Sequence, residues 1–163
     1  MLAHMTYSLG ADIGSVNAKL ALVDENKQAI YFDSEKIISG PYQAVSGLLS
    51  RLAGKYDIAQ IESAGVSGSG KNTIPKESGW IEYSSSLAIA AGLIHYHPGA
   101  RTIIQIGGQS SLVISLEDGL RKPWKVTSNP LCAAGTGRFM EQQAYRLGIS
   151  MEDFTNRALH FEG

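Results

Sequence analysis

Two short segments of the sequence each place a glycine-containing turn between two apolar stretches, a pattern that can bind phosphate. They start 93 residues apart, at 11–24 (ADIGSVNAKLALVD) and at 104–117 (IQIGGQSSLVISLE). Because glycine and serine leave little side chain in the way, backbone N–H groups of such turns can approach an oxyanion. The turn residues that we expect to contact phosphate are Gly14, Ser15, Gly107 and Gly108.

Two charged residues flank the first turn. Asp12 ends the first predicted strand, where its carboxylate could hold Mg²⁺ through the hydration shell of the ion or could cap the turn. Lys19, on the return strand, could contact a phosphate or could point to solvent. The first turn therefore has the residue types needed to bind a phosphate together with its metal ion.

A second glycine-rich segment has the frame of a nucleotide-binding P-loop. Residues 65–72 read GVSGSGKN, with Asn72 where a P-loop carries Ser or Thr. A P-loop also needs a helix that starts at its lysine, and Pro75 and Gly79 would interrupt such a helix. We therefore interpret this segment as a Gly/Ser loop that leaves the end of a strand.

Composition narrows the classes of function. The chain has 163 residues, is 44% hydrophobic and carries a net charge of −1, with no basic run. We therefore expect no nucleic-acid partner, and no apolar stretch is long enough to predict a membrane span. The single cysteine, Cys132, excludes an internal disulfide and fits a reducing cytoplasm. Residues 1–6 could be a cloning remnant or a disordered start.

Hydrophobic periodicity and turn residues predict an α/β fold. We expect a first lobe over residues 7–98, with a mixed sheet whose first three strands are antiparallel, and the beginning of a second lobe over residues 99–163. The predicted strands are 7–12, 19–24, 29–38, 60–67, 102–106 and 111–116, and the predicted helices start at Pro41, Ser84, Phe139 and Ser150.

Three motifs carry a resemblance to a known family. They are DIGSVNAK (12–19), RTIIQIGGQSS (101–111) and NPLCAAGTGRFMEQ (129–142), in that order along the chain. Paired phosphate hairpins resemble the superfamily of actin, sugar kinases and heat-shock ATPases, which has a ribonuclease H-like fold. Within it, the motifs resemble the activators of 2-hydroxyacyl-CoA dehydratases and the ATPase subunits of benzoyl-CoA reductases. The third motif is the most specific of the three.

The resemblance implies an ATP-driven iron–sulfur protein. Such activators are homodimers that share one [4Fe–4S] cluster, and ATP hydrolysis drives an electron to a dehydratase or a related reductase. Cys132 matches the first cluster cysteine, at the start of a helix whose dipole favours a thiolate. The resemblance also implies that ATP or ADP with Mg²⁺ binds at Asp12, Lys19 and the two glycine turns, including Gln109.

The chain lacks two carboxylates of the family pattern and is shorter than the family's members. Gln105 and Ser110 stand where the second loop of the family carries Asp, so we expect impaired hydrolysis. The second cluster cysteine and the adenine-binding segment of the family would lie beyond Gly163, so a complete cluster is expected only in a longer form. Two other functions stay open, a non-catalytic actin-like module with a structural role and an amino-sugar kinase, which the CAAGTG run disfavours.

Overall fold

The structure is a computed structural model, and it describes residues 6–108, 110–121, 124–129 and 136–161. The predicted roles of Gln109 and Cys132 therefore lie outside the described residues, as do residues 1–5 of the proposed remnant over 1–6. The chain divides into two compact units, Met1–Gly92 and Leu93–Gly163. The lobe bounds 7–98 and 99–163 stay a prediction.

The first unit is built on a five-stranded mixed sheet. The sheet order is β3-β2-β1-β4-β5. The first three strands are antiparallel, and β1 and β5 each pair parallel with β4, which confirms the predicted mixed sheet. The strands are β1 (Tyr7–Ile13), β2 (Asn17–Val23), β3 (Ala29–Lys36), β4 (Ile61–Ser67) and β5 (Ile81–Glu82).

One amphipathic helix covers the apolar face of this sheet. Helix α1 (Pro41–Ala53) starts with proline at its first position, where the missing N–H costs nothing. Its buried residues pack against the alternate residues of β1 and β2 that face the same side, because side chains of a strand alternate between faces. The main buried residues of this core are Leu9, Ile13, Leu20, Leu22, Val45, Leu48 and Leu52.

The second unit contains a three-stranded antiparallel sheet with the order β6-β7-β8. Within the described ranges, no helix has the length and apolar character needed to cross a membrane. The remaining elements are α2 (Ser85–Tyr96), within which the division of the two units falls, β6 (Thr102–Ile106), β7 (Ser111–Ser115), β8 (Lys125–Asn129), α3 (Gly137–Arg146) and α4 (Met151–Leu159).

The two hairpins repeat each other down to the register of their strands. Asp12 pairs with Lys19 across β1 and β2, and the positions 93 residues later, Gln105 and Leu112, pair across β6 and β7. Both turns are also closed in the same way, by an N–H of the first glycine and the carbonyl three residues later. The repeat that the sequence predicted is therefore present in the backbone, while the charged pair is present in the first copy alone.

An arginine on α1 fastens the helix to the outer strand β3. Arg51 Nε donates to Asp33 Oδ2 at 2.6 Å, and Arg51 Nη1 lies 2.9 Å from Glu35 Oε2. The hydroxyl of Tyr31 also donates to Asp33 Oδ2, at 3.1 Å. The hydrogen bond from Arg51 is the main reason why the pKa of Asp33 lies below its usual value.

This lowered pKa predicts a pH-dependent contribution to stability. The contribution of Asp33 is present above the pKa that it has in the unfolded chain, about 3.9, and is lost as pH falls through its lower folded pKa. D33N should therefore lower the urea midpoint at about pH 7, and this deficit should disappear as pH falls through the lowered pKa of folded Asp33. The control is D57N, since Asp57 caps a short turn away from Arg51. A deficit of D33N that is independent of pH would contradict the assignment.

Candidate functional site

The carboxylate of Asp12 lies at the end of the central strand β1 with its two oxygens in different surroundings. Oδ1 accepts a hydrogen bond from the Ser67 hydroxyl at 3.3 Å, and Oδ2 lies 4.0 Å from Nζ of Lys19. The side chain of Asp12 is 45% exposed and that of Lys19 is 50% exposed, so both reach solvent. The two residues that the sequence singled out beside the first turn are therefore neighbours in the structure.

The first turn offers two backbone amides next to this carboxylate. The N–H of Gly14 donates to the carbonyl of Asn17 at 3.0 Å and so closes the turn on itself. The N–H groups of Ser15 and Val16 have no hydrogen-bond partner in the part of the chain that the structure describes. The N–H groups of Ser15 and Val16 are thus available to donate to an anion, whereas Gly14 lets the turn close tightly.

The loop after β4 covers the end of β1 beside Asp12. The N–H of Gly70 donates to the Ile13 carbonyl at 2.8 Å. Gly68 has a φ of +96°, and a Cβ placed on it would overlap the same carbonyl oxygen and lie 2.8 Å from Asp12 Oδ1. A side chain at Gly68 does not fit this approach, and a Cβ on Gly70 would also lie 2.6 Å from the Ile13 side chain, which explains these two glycines of the GVSGSGK segment.

The structure gives this loop no P-loop geometry. Lys71–Thr73 forms a single 3-10 turn rather than the helix that would direct free N–H groups at a phosphate. Nζ of Lys71 lies 3.0 Å from Glu82 Oε2 on β5, so the lysine is held in an ion pair. The Gly/Ser loop interpretation is therefore correct.

The second hairpin keeps the backbone of the first and lacks its charges. The N–H of Gly107 donates to the Ser110 carbonyl at 2.8 Å, as the N–H of Gly14 does to Asn17. Gln105 occupies the position of Asp12 and faces Leu112 across the ladder. This hairpin can offer a backbone turn to a phosphate but has neither the carboxylate nor the lysine of the first.

Helix α3 is joined to the second hairpin by two backbone hydrogen bonds. The N–H of Gly137 donates to the Gly107 carbonyl at 2.9 Å, and the N–H of Arg138 donates to the Gly108 carbonyl at 3.1 Å. A Cβ on Gly137 would lie 3.3 Å from the Gly107 carbonyl oxygen, so glycine permits this close contact. The segment that contains Cys132 directly precedes this helix in the sequence and lies outside the described residues.

The first hairpin fits magnesium and phosphate by the chemistry of its donors. It combines an exposed carboxylate, a lysine and two unpaired N–H groups, and Mg²⁺ prefers oxygen ligands and water while phosphate prefers N–H donors. Among the residues that the structure describes, no three His, Cys, Asp or Glu side chains are grouped to bind a metal directly. A magnesium ion here would therefore keep most of its water.

Sequence reasoning missed two residues of this site. Ser67 is 55 residues from Asp12, and a parallel pairing of β1 with β4 brings them side by side. The available signal was that both residues end predicted strands, and the carboxyl ends of parallel strands meet at one edge of a sheet. Val16 was missed because a bulky side chain does not indicate a phosphate contact. Its N–H is free because of the way the turn closes, which the side chain does not reveal.

The fold is of the actin-like class of ATPases. Its marks are a mixed five-stranded sheet, a glycine hairpin at the end of the first strand and a second hairpin of the same register. The model of the BadF/BadG/BcrA/BcrD ATPase family matches residues 9–160, and the chain belongs to this family. The family resemblance and the fold class that the sequence predicted are confirmed.

Similar proteins carry the names of dehydratase activators. The chain is 32% identical over 158 residues to the activator of lactoyl-CoA dehydratase of Anaerotignum propionicum. It is 30% identical over 151 residues to the (R)-2-hydroxyglutaryl-CoA dehydratase activating ATPase of Acidaminococcus fermentans. In both cases the match covers 90% of this chain and 56% of the relative, so the chain spans little more than half of their length.

A solved structure shares the fold over almost the whole chain. It is the activator of the 2-hydroxyisocaproyl-CoA dehydratase from Clostridium difficile with bound ADPNP. The TM-score is 0.81 and the identity 24%, over 97% of this chain and 58% of that one. At this identity the likeness establishes the fold, and a role for any residue of this chain has to come from its own geometry.

The close packing of Gly68 on the Ile13 carbonyl predicts a large effect of a single methyl group. Gly68→Ala should destabilise the chain by about 2–5 kcal/mol, because it combines an unfavourable positive φ with a steric overlap. Gly79→Ala is the matched control, since Gly79 has a φ of +77° and open space around it, and it should cost about 1–2 kcal/mol. Urea unfolding measures both values, and equal losses would contradict the described packing.

Proposed function

We propose that this chain is the nucleotide-binding part of an ATP-dependent activator of a 2-hydroxyacyl-CoA dehydratase or a related reductase. The observation that carries the proposal is the first hairpin, where Asp12, Lys19 and two unpaired N–H groups lie together at the end of the central strand. The names of the relatives supply the substrate class of the partner enzyme.

Each residue of the first hairpin has a distinct task in this proposal. The N–H groups of Ser15 and Val16 donate to phosphate oxygens of ATP or ADP. Asp12 accepts hydrogen bonds from the water shell of Mg²⁺, and Lys19 offsets negative charge beside it. Mg²⁺, when bound, neutralises charge on the phosphates. In the second hairpin, the N–H of Gly107 closes the turn as that of Gly14 does, so Gly108 is the backbone donor that we propose for phosphate there, and the predicted role of Gln109 stays a prediction.

Hydrolysis is the step that this chain is least equipped to perform. Gln105 and Leu112 replace the carboxylate and the lysine found at the matching positions of the first hairpin, and neither can carry a charge. The amide of Gln105 cannot take up a proton as a carboxylate general base does. This observation favours a second candidate function, in which the chain binds nucleotide and acts as a non-catalytic module.

The residues of this chain do not fit a complete [4Fe–4S] cluster. Such a cluster is held by four thiolates, and the chain contains one cysteine, Cys132. A homodimer of this chain would supply two thiolates, so a shared cluster would require ligands beyond these residues. We therefore propose Cys132 as one cluster ligand of a longer dimeric form in the cytoplasm, and assign no electron-transfer step to the chain itself.

The binding proposal predicts that Mg-ADP binding depends on the charge of Asp12. Isothermal titration of the chain with Mg-ADP should show binding, and D12N should weaken it about tenfold, because the water shell of Mg²⁺ loses a charged acceptor. E25Q is a control that removes a carboxylate from the exposed turn after β2. Equal affinity of wild type and D12N, or no binding by wild type, would contradict the proposal.

The cysteine count predicts the result of a reconstitution with iron and sulfide. After anaerobic treatment, the 163-residue chain should hold far less than one four-iron cluster per dimer and lack the broad thiolate-to-iron absorbance, because two of four ligands are missing. Iron analysis and absorbance measure this directly. A stable cluster in wild type that is lost in C132S would show that the ligand count is wrong.

A further inference from the structure

We infer that Ser67 is a positioning residue that orients the Asp12 carboxylate toward the magnesium and phosphate side of the first hairpin, an inference that rests on the proposed function. Ser67 and Asp12 are direct partners in the parallel ladder of β4 and β1, so their side chains stand on the same face. The Ser67 hydroxyl lies 3.3 Å from Asp12 Oδ1.

Ser67 is buried, so its hydroxyl needs a partner within the protein. The residue is 7% exposed, whereas the side chain of Asp12 is 45% exposed. A buried hydroxyl needs a hydrogen-bond partner, and Asp12 Oδ1 accepts its proton. Ser67 thus holds one carboxylate oxygen on the protein side, and the other oxygen is left facing Lys19 and solvent.

The loop that follows Ser67 fixes the position of this hydroxyl. The N–H of Gly70 bonds the Ile13 carbonyl at 2.8 Å, and Gly68 passes so close to Asp12 Oδ1 that no side chain fits there. The far end of the loop is held by the ion pair of Lys71 with Glu82. The GVSGSGK segment therefore packs against Asp12 and restricts the orientation of its side chain, and it does not form a phosphate loop of its own.

A second serine on β4, Ser63, makes the same kind of hydrogen bond away from the site. Ser63 lies on the same strand and donates to the Ser8 hydroxyl on β1 at 2.8 Å, again across 55 residues. That pair is exposed and is located at the opposite end of the strands from Asp12. Ser63→Ala is therefore a matched control for Ser67→Ala, with the same chemical change on the same pair of strands.

The test is the magnesium dependence of ADP binding. Titrations of ADP at a series of Mg²⁺ concentrations should show that Ser67→Ala raises the half-saturating Mg²⁺ concentration about three- to tenfold, the range expected for one long hydrogen bond to a charged group. ADP affinity in EDTA should be unchanged, because the N–H groups of the turn remain. Ser67→Thr, which keeps a hydroxyl, should restore most of the magnesium response, and Ser63→Ala should match wild type.

A second measurement needs no nucleotide and keeps the two proposals separate. In urea unfolding, Ser67→Ala and Asp12→Ala should be non-additive because each removes one partner of the same hydrogen bond, while Ser63→Ala and Asp12→Ala should be additive. Additivity of the first pair, or identical magnesium curves for Ser67→Ala and Ser63→Ala, overturns the inference. A wild type that binds no ADP at any Mg²⁺ concentration overturns the proposed function, and with it the role of Ser67 in magnesium binding.

Discussion

The hydrogen bond from the Gly70 N–H to the Ile13 carbonyl joins the two loops that leave the central strands β1 and β4. Ile13 is fully buried, so its carbonyl could not be left without a donor. This contact holds the glycine loop against the end of β1, where Gly68 has a positive φ. The close approach of the loop to Asp12 Oδ1 depends on this contact, and the same loop continues into the 3-10 turn at Lys71 instead of a phosphate-binding helix.

The second hairpin shows what remains when the backbone of such a site is kept without its charges. The register, the turn closure and the first glycine are the same in both copies, because these are determined by backbone geometry. The pair Asp12 and Lys19 becomes Gln105 and Leu112, which leaves the fold intact and removes the electrostatic part of the site. The second hairpin is instead hydrogen-bonded to a helix, because its carbonyls accept the first two N–H groups of α3.

Much of the fold could be predicted from local patterns, while the site could be predicted only in part. The hairpin around Gly14 was predictable because apolar alternation and a glycine turn are both local. Strand β8 was not, because its residues, KVTSN, are exposed and mostly polar, and β5 has two residues, too few to show a period. The bond between Ser67 and Asp12 depends on a parallel pairing across 55 residues, and no local pattern encodes it.

The central claim is that nucleotide phosphates bind the turn after β1 and not the glycine loop after β4. Amide hydrogen exchange of the chain, measured with and without Mg-ADP, tests it at the two N–H groups concerned. The account predicts slower exchange at Ser15 and Val16, whose N–H groups have no partner in the described part of the chain. Protection of Lys71–Thr73 with no change at Ser15 and Val16 would contradict it.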